Sequence, residues 1–418
     1  MSRVTFIHTA DIHLDTPFKG LSEVDRVLAD RLRRATFQSF CGIVDRCLQE
    51  PVDFLLIAGD TFDGEARSLS AQLGFAEELR RLCQAGIPVY LVFGNHDPAD
   101  DWIKEIALPE NVHRFSAAQA DVGTFSRNGQ PLADIHGLSF DSRAGDRNPA
   151  AFFRKNERPA PFSIGLVHGT IGPAGPHAPY QPFTAADILD KGFDYWALGH
   201  VHRPGIIQPA DPAIVYPGNP QGRDFGETGA RGCFLVTLET GRKPALTFLP
   251  TQTVRFETMA VDLSDLETLN QVMEKIEGTI ADRLPAAESA DCVLRIVLRG
   301  RTSLHTHLNN EDDLADLARR LNETRTEQPV CFIDRLESET LPDIDLESLA
   351  RGNDFPAEVL RAMRAYAEAP AEADVLIRDL AAEFATPGIR KELSPPDAED
   401  CRRIMALAQR RLLDLFFT

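Results

Sequence analysis

The chain has 418 residues, with 63 acidic against 44 basic side chains and a formal charge of -19. That length exceeds one ordinary hydrophobic core and predicts two or three domains, while no apolar run reaches the roughly 18 residues of a membrane span. The acidic balance, about -6 over residues 1–250 and about -13 over 251–418, excludes strong non-specific nucleic-acid binding by the chain's own surface, since that affinity comes from Lys and Arg on phosphates. It leaves a nuclease open, because bound metal ions reverse the sign of an acidic site. Seven scattered cysteines without a C-x-x-C pair fit a reduced, cytoplasmic protein. The short apolar stretch after Met1 begins a strand rather than a secretory leader.

VTFIHTADIHL opens the chain as a buried strand that breaks at Asp11 and His13. Residues 22–49 carry Leu32, Phe37, Phe40, Ile43 and Val44 at mostly helical spacing, so a surface helix or helix pair follows, with Arg31, Arg33 and Arg34 on a solvated face. FLLIAGDTFD is a second buried strand, ending at Asp60. An amphipathic helix over Leu69 to Ala85 then leads to a third, VYLVFGNHD, ending at Asn95, His96 and Asp97. The order strand, helix, strand, helix, strand predicts parallel central strands with helices on both faces, and ligands sit at the carboxyl ends of such strands.

Asn111 to Phe140 reads as short alternating strands, with His136 starting an HGLSF turn. Residues 141–161 form a polar loop carrying Arg143, Arg147, Arg154, Lys155 and Arg158, a candidate DNA contact because loops flanking a site can track a strand. SIGLVHGT and DYWALGHVHRP are two further apolar strands, breaking at His168 and at His200 and His202. AIVYPGNPQGRDFGE and a last strand, RGCFLVTLE, close a first domain over 1–250. Residues 251–340 read as a small α/β domain and 341–418 as all helical. On the final helix Leu407, Leu412, Leu415 and Phe416 lie opposite Arg402, Arg403, Arg410 and Arg411, enough to dock it on its own domain or on a partner.

Collected by strand end, the donors are Asp11, His13, Asp60, Asn95, His168, His200 and His202, all oxygen or nitrogen and none sulfur. Such a mix suits Mn, Fe or Zn. A two-ion site needs a shared anion between ions about 3.5 to 4 Å apart, and Asp60 on the central strand is the natural bridge. A lone His at a strand end is more often a hydrogen-bonded structural residue. Five loops of the right residue types, each after an apolar strand, point to a metal site.

Asp11-Ile-His13, Gly59-Asp60, Gly94-Asn95-His96-Asp97, His168 and Gly199-His200-Val201-His202 resemble, with none missing, the motif series of the calcineurin-like metallophosphoesterases. HTADIHL, GDTFD and YPGNPQGRDFGE look like the SbcD-type DNA repair exonucleases within that superfamily, YhaO-like proteins above all. The resemblance implies a metallophosphoesterase β-sandwich flanked by helices over 1–250, a capping domain over 251–340 and a C-terminal helical region. It implies two divalent ions, Mn2+ first with Fe2+, Zn2+ or Mg2+ as alternatives. Asp11, His13, Asp60 and His202 would hold one ion, and Asp60, Asn95, His168 and His200 the other. A hydroxide bridging the ions would attack the phosphodiester, and His96 would protonate the leaving oxygen, with Asp97 holding its other nitrogen. Arg203 and Arg223 could reach phosphate. Some relatives carry a His where this chain has Asp63, which is read as a turn or as an acceptor behind the ligands. The implied partners are DNA and an SMC-type ATPase of the SbcC or YhaN kind, with a homodimer an open alternative. A small-molecule phosphoesterase acting on nucleotides or cyclic nucleotides shares the ligand set, and a scaffold with a structural metal is the reading from another class.

Overall fold

The computed structural model describes residues 1–16, 26–64, 68–98, 107–140, 148–172, 181–284, 290–323, 330–344, 346–384 and 396–417. Arg143 and Arg147 of the expected basic loop lie outside them. Two compact units divide the chain. The first is Met1–Glu257 with Ser289–Leu294 and Glu327–Asp334; the second is Thr258–Glu288, Arg295–Thr326 and Arg335–Thr418.

Among its described residues the first unit is built on twelve strands, in chain order β1 (Arg3–Thr9), β2 (Phe54–Ala58), β3 (Val89–Val92), β4 (Val112–Arg114), β5 (Asp121–Arg127), β6 (Gln130–Leu138), β7 (Phe162–His168), β8 (Tyr195–Gly199), β9 (Gly205–Pro209), β10 (Ala213–Tyr216), β11 (Gly232–Glu239) and β12 (Ala245–Pro250). They form two six-stranded sheets, ordered β12-β11-β1-β2-β3-β4 and β5-β6-β7-β8-β10-β9. β1 to β4 pair in parallel, as do β6, β7, β8 and β10. Two short strands, β9 and β12, were not legible in the sequence. Each is a partly exposed edge strand that ends in Pro, Pro209 or Pro250, a composition that marks loops as readily as strands.

Side chains alternate across each strand, so the apolar runs of β1 to β3 bury both faces. Val4, Phe6, Phe54, Leu56, Tyr90 and Val92 meet Ile164, Leu166, Tyr195 and Val215 of the second sheet in one core. Phe6 stacks on Phe54 at 4.9 Å and meets Tyr195 edge-on at 5.2 Å. Ile7, Leu55, Ile57, Val89 and Leu91 point the other way, onto α1 (Arg26–Gln49) and α2 (Leu69–Gln84) through Phe40, Ile43, Phe75 and Leu79. Helices therefore cover one face of the first sheet and the second sheet covers the other, in place of helices on both faces. The outer face of the second sheet is closed by Phe153, Phe193 and Ile188 of α3 (Ala185–Leu189), packed on Trp196, Leu198 and Ile214.

Local chemistry sets the helix starts. Ser68 caps α2 by accepting from the Ala71 N–H, and Thr184 with Asp187 forms a reciprocal capping box on α3. Arg31, read as a solvated face, instead pairs with Asp291 at 2.6 Å. His136 lies within β6, buried, its ring 4.8 Å from that of Phe193.

Strands Val254–Asp262, Asp291–Thr302 and Cys331–Pro342 form a three-stranded sheet with the Asp291–Thr302 strand in the middle. The first residues of each of these strands fall in the first unit and the rest in the second, which holds helices Leu269–Arg283 and Glu311–Glu323, followed by Phe355–Glu368, Pro370–Phe384 and Ala398–Phe417. Asp354 caps the Phe355–Glu368 helix by accepting from Ala357 N. Leu407 on the last helix is 53% exposed; the side chains of Arg410, Leu415 and Phe416 lie outside the described set. Among the described residues no helix is long and apolar enough to cross a membrane.

Candidate metal centre

Five strand ends, those of β1, β2, β3, β7 and β8, bring their loops to one rim. The parallel ladder between β1 and β2 continues past both strands: Asp11 N donates to Gly59 O at 3.0 Å, His13 N to Asp60 O at 3.0 Å and Leu14 N to Thr61 O at 2.9 Å. This holds Asp11, His13 and Asp60 at φ of 52°, 47° and 50°, and His200 follows at 95°. Non-glycine residues rarely adopt that region, and such strain gathers where surrounding structure fixes a functional geometry. Two motif glycines have the same logic. A Cβ on Gly59 would lie 2.4 Å from His168 Nδ1, and one on Gly94 would lie 2.0 Å from Asp60 Oδ1, so only glycine permits the approach.

Among the described residues three groups of side chains could each hold an ion: one joins His13 to Asp63 and His96, and the other two consist of the expected donors alone. Asp11, His13 and His202 form one and Asp60, His168 and His200 the other, each with its ligand atoms within 4.8 Å of one another. Asp60 lies between them: its Oδ2 is 3.3 Å from His168 Nε2 and 3.8 Å from His13 Nε2. Asn95 Oδ1 joins the second cluster, 3.0 Å from His168 Nε2 and 3.1 Å from His200 Nδ1. Asp11 accepts from the His200 backbone N–H at 2.9 Å, stitching the clusters together.

The donor chemistry fits a cation. His168 donates Nδ1–H to Ala58 O at 2.8 Å and His202 Nδ1 lies 2.6 Å from Glu227 Oε1, so in each ring Nε2 is the nitrogen turned into the cluster, where a metal ion would take the place of the proton that His168 holds toward Asp60 and Asn95. His13 Nε2 lies 3.1 Å from His202 Nε2. The titration shifts follow from packing these groups together. Burial pushes Asp11 up to about 6, against the pull of His168 and His202. Burial alone would lower His168, but Asp60, as charge and hydrogen-bond partner, and Asp11 lift it to about 9. His200 is held down to about 3 by burial and by His168. Burial works against ionised Asp60, yet His168 and His13 outweigh it and keep the carboxyl well below its usual range. The field of the two carboxylates therefore favours positive charge at this spot, which a proton on His168 answers without metal and a divalent cation would answer better.

His96 projects beside the clusters, its ring 5.0 Å from that of His13. Its partner is Asp63, whose Oδ1 is 2.8 Å from His96 Nδ1 and whose Oδ2 accepts from Thr16 Oγ1 at 2.9 Å. The hydrogen bond to Asp63 raises the His96 pKa above the ordinary imidazole value, against a smaller lowering from burial. This corrects the expected pairing with Asp97. Successive side chains leave the backbone in different directions, and the buried Asp97 turns inward: it accepts from Gly94 N at 2.8 Å and Thr61 N at 2.8 Å, pinning the GNHD loop to the GDTFD loop. Burial and Asp60 push its carboxyl up to about 7, against those two N–H bonds. Asp97→Asn sets an amide NH2 against a backbone N–H, so it is expected to destabilise the protein by about 1–3 kcal/mol in urea unfolding while leaving the His96–Asp63 pair in place.

The expected phosphate contacts divide three ways. Arg203, next to His202, is exposed. Arg223 is turned to Glu227, with Nη2 3.0 Å from Oε1, and its Nη1 is 3.9 Å from Asp63 Oδ2. Arg154 and Lys155 do not reach the rim. Their stretch is fastened by Asn156 Nδ2 and Ala160 N to Asp134, level with Ser163 at the start of β7. His168 is at the far end of that strand, five residues on and roughly 17 Å away at about 3.3 Å per residue. Residues not foreseen as partners of the site include Glu227, Thr16 and Tyr216, whose hydroxyl donates to Gly169 O and accepts from Ile171 N in the loop after His168. Only a known loop geometry could have signalled them.

Residues 4–204 match the family model for the calcineurin-like phosphoesterases, and the chain belongs to that family. Residues 256–341 match a second model, the middle domain of the metallophosphoesterase YhaO. Over 300 residues, 72% of each chain, the sequence is 40% identical to the uncharacterized metallophosphoesterase YhaO of Bacillus subtilis. It is 28% identical over 227 residues to the DNA double-strand break repair protein Mre11 of Aeropyrum pernix, covering 51% of this chain and 52% of that one. The chain thus spans about half the length of that archaeal relative. A solved dimetal phosphatase from Danio rerio covers 59% of this chain and 96% of its own at 12% identity and a TM-score of 0.35. Members of this family work through a dinuclear metal centre, and the two His/Asp clusters are the candidate groups for one here.

Proposed function

We propose that the chain is a two-metal phosphodiesterase acting on DNA, an exonuclease subunit of a DNA repair assembly. The observation that carries this is the meeting of two donor clusters across Asp60 with His96 beside them, its ring nitrogen held by Asp63. Asp11, His13, Asp60 and His202 hold one ion, and Asp60, Asn95, His168 and His200 the other. Two divalent ions there supply an acidified water and the positive charge that offsets the phosphoryl oxygens. The chain's own residues do the rest. His96, kept protonated by Asp63, donates to the leaving sugar oxygen, and Arg203 at the open side meets a non-bridging oxygen.

DNA is favoured as substrate by the likeness to Mre11, a DNA double-strand break repair protein. An overall charge of -19 gives the chain little purchase on a polyanion, so a partner supplies basic surface. An SMC-type ATPase of the SbcC or YhaN kind docked on the C-terminal helix fits this, and the exposed Leu407 there is an apolar handle for it. The test is end-labelled single- and double-stranded DNA incubated with manganese, magnesium or zinc beside a panel of nucleotides and cyclic nucleotides. Manganese-dependent shortening of labelled DNA that stops on chelation is expected. Hydrolysis of the nucleotides with intact DNA would replace this reading with the small-molecule one.

A further inference from the structure

The YPGNPQGRDFGE segment, singled out in the sequence, acquires no role from the ligand set itself, yet it encloses His202. Asn219 N donates to His202 O at 3.1 Å, and the Arg231 guanidinium donates to the same oxygen and to Asn219 Oδ1. The ring is held by Glu227, which is largely buried and satisfied on both oxygens. Oε1 lies 2.6 Å from His202 Nδ1 and 3.0 Å from Arg223 Nη2. Oε2 accepts from Asn219 Nδ2 at 2.7 Å and from Arg223 N at 2.9 Å. Arg223 Nη2 is also 3.1 Å from His202 Nδ1. Two donors cannot bond each other, so this contact is the third side of a triangle in which imidazole and guanidinium both donate to one carboxylate oxygen.

We infer that Glu227 is a positioning residue for the metal centre: it fixes His202 as the Nδ1–H tautomer, so that the Nε2 lone pair faces His13 and Asp11. The inference rests on the proposed assignment of Asp11, His13, Asp60 and His202 to one ion. Arg223 extends the frame. Its guanidinium lies between Glu227, which orients His202, and Asp63, which orients His96, so a carboxylate, a cation and a carboxylate tie the ligand ring to the proton donor. A carboxylate behind a ligating imidazole sets its tautomer and raises its basicity. Glu227 stands 25 residues after His202, on the loop that also grips the His202 backbone, so one segment controls both the placement and the rotation of that ring.

A residue that only closed its loop would affect stability and leave metal affinity alone, which makes the two roles separable. The full chain is stripped of metal and titrated with Mn2+ by calorimetry as wild type, Glu227→Gln and Glu227→Asp. Two Mn2+ sites are expected in wild type. Glu227→Gln is expected to weaken one by about 10- to 100-fold and leave the other unchanged, with near-ultraviolet circular dichroism preserved, and Glu227→Asp should recover part of the loss. Unchanged affinity at both sites in a folded Glu227→Gln protein overturns the inference. The wild-type protein supplies a second, independent readout: 15N spectra of the metal-free imidazoles, assigned with His202→Gln, should show the Nδ1–H tautomer. An Nε2–H tautomer overturns the inference even if the Gln variant fails to fold. Wild type that binds fewer than two Mn2+ is a different failure, that of the two-ion reading itself.

Discussion

Asp60→Asn is expected to lower DNA hydrolysis by about three orders of magnitude or more and to remove both ions from the purified protein. A loss of that size corresponds to roughly 4 kcal/mol of transition-state stabilisation, within the several kcal/mol that metal ions contribute to such reactions. Asp60 is buried, donates nothing, and has its two oxygens in distinct use: Oδ1 accepts from the His96 backbone N–H at 2.9 Å, and Oδ2 faces His168 and His13. An amide here either turns its NH2 toward the imidazoles, where an N–H cannot share a cation, or leaves the His96 N–H facing a donor. Removing the charge also releases His168, whose pKa stands at about 9 chiefly because Asp60 overcomes its burial. Asp60 is itself held below its ordinary value, so its ionised form stabilises the metal-free fold above the unfolded carboxyl pKa, and that contribution is lost as pH falls. The Asn variant should therefore also show a lower metal-free Tm at neutral pH than wild type. Metal analysis after desalting is the decisive measurement; two retained ions per chain would sink the bridging assignment.

How much of this could be read beforehand depends on how far apart in the chain the interacting groups lie. The strand ends were legible because each buried run breaks at its own polar residues: VTFIHT before Asp11 and His13, FLLIA before Asp60, YWALG before His200. The sandwich was not legible from those runs. An apolar strand says that both faces are covered, and a helix and a second sheet are equally good covers for Leu55 on one side and Leu56 on the other. Sequence adjacency misled at Asp97, which follows His96 but serves the backbone of its loop, while Asp63, 33 residues away, takes the ring. The resemblance had marked Asp63 as a departure from relatives with His at that place, and the structure makes it the orienting acceptor. The basic cluster at Arg154 and Lys155 misled for a topological reason: a loop that precedes a parallel strand lies at its amino end, opposite the His168 that ends it.

His96→Ala is expected to reduce turnover by about 10²- to 10⁴-fold, the range for loss of a positioned general acid, with both ions still bound. That combination separates proton donation from metal assembly, since the His96 side chain belongs to neither of the two donor clusters that meet at Asp60 and stands instead in the group of His13 and Asp63. Its ring sits against His13 and its Nδ1 is taken by Asp63, so Nε2 is the nitrogen that would serve a leaving group. The acid must carry its proton, so the rate should fall as pH rises through the His96 pKa, which the Asp63 hydrogen bond places above the ordinary imidazole value. Asp63→Asn removes that bond's charge and should move the alkaline limb of the rate profile to lower pH, leaving Mn2+ affinity near wild type. The same linkage fixes the sign for stability. The His96–Asp63 pair stabilises the fold below the unfolded imidazole pKa of about 6.5, and that contribution fades as pH rises through the raised folded value. A pH–rate profile of Asp63→Asn identical to wild type would show that the leaving oxygen takes its proton from elsewhere, and full activity in His96→Ala would remove His96 from the chemistry altogether.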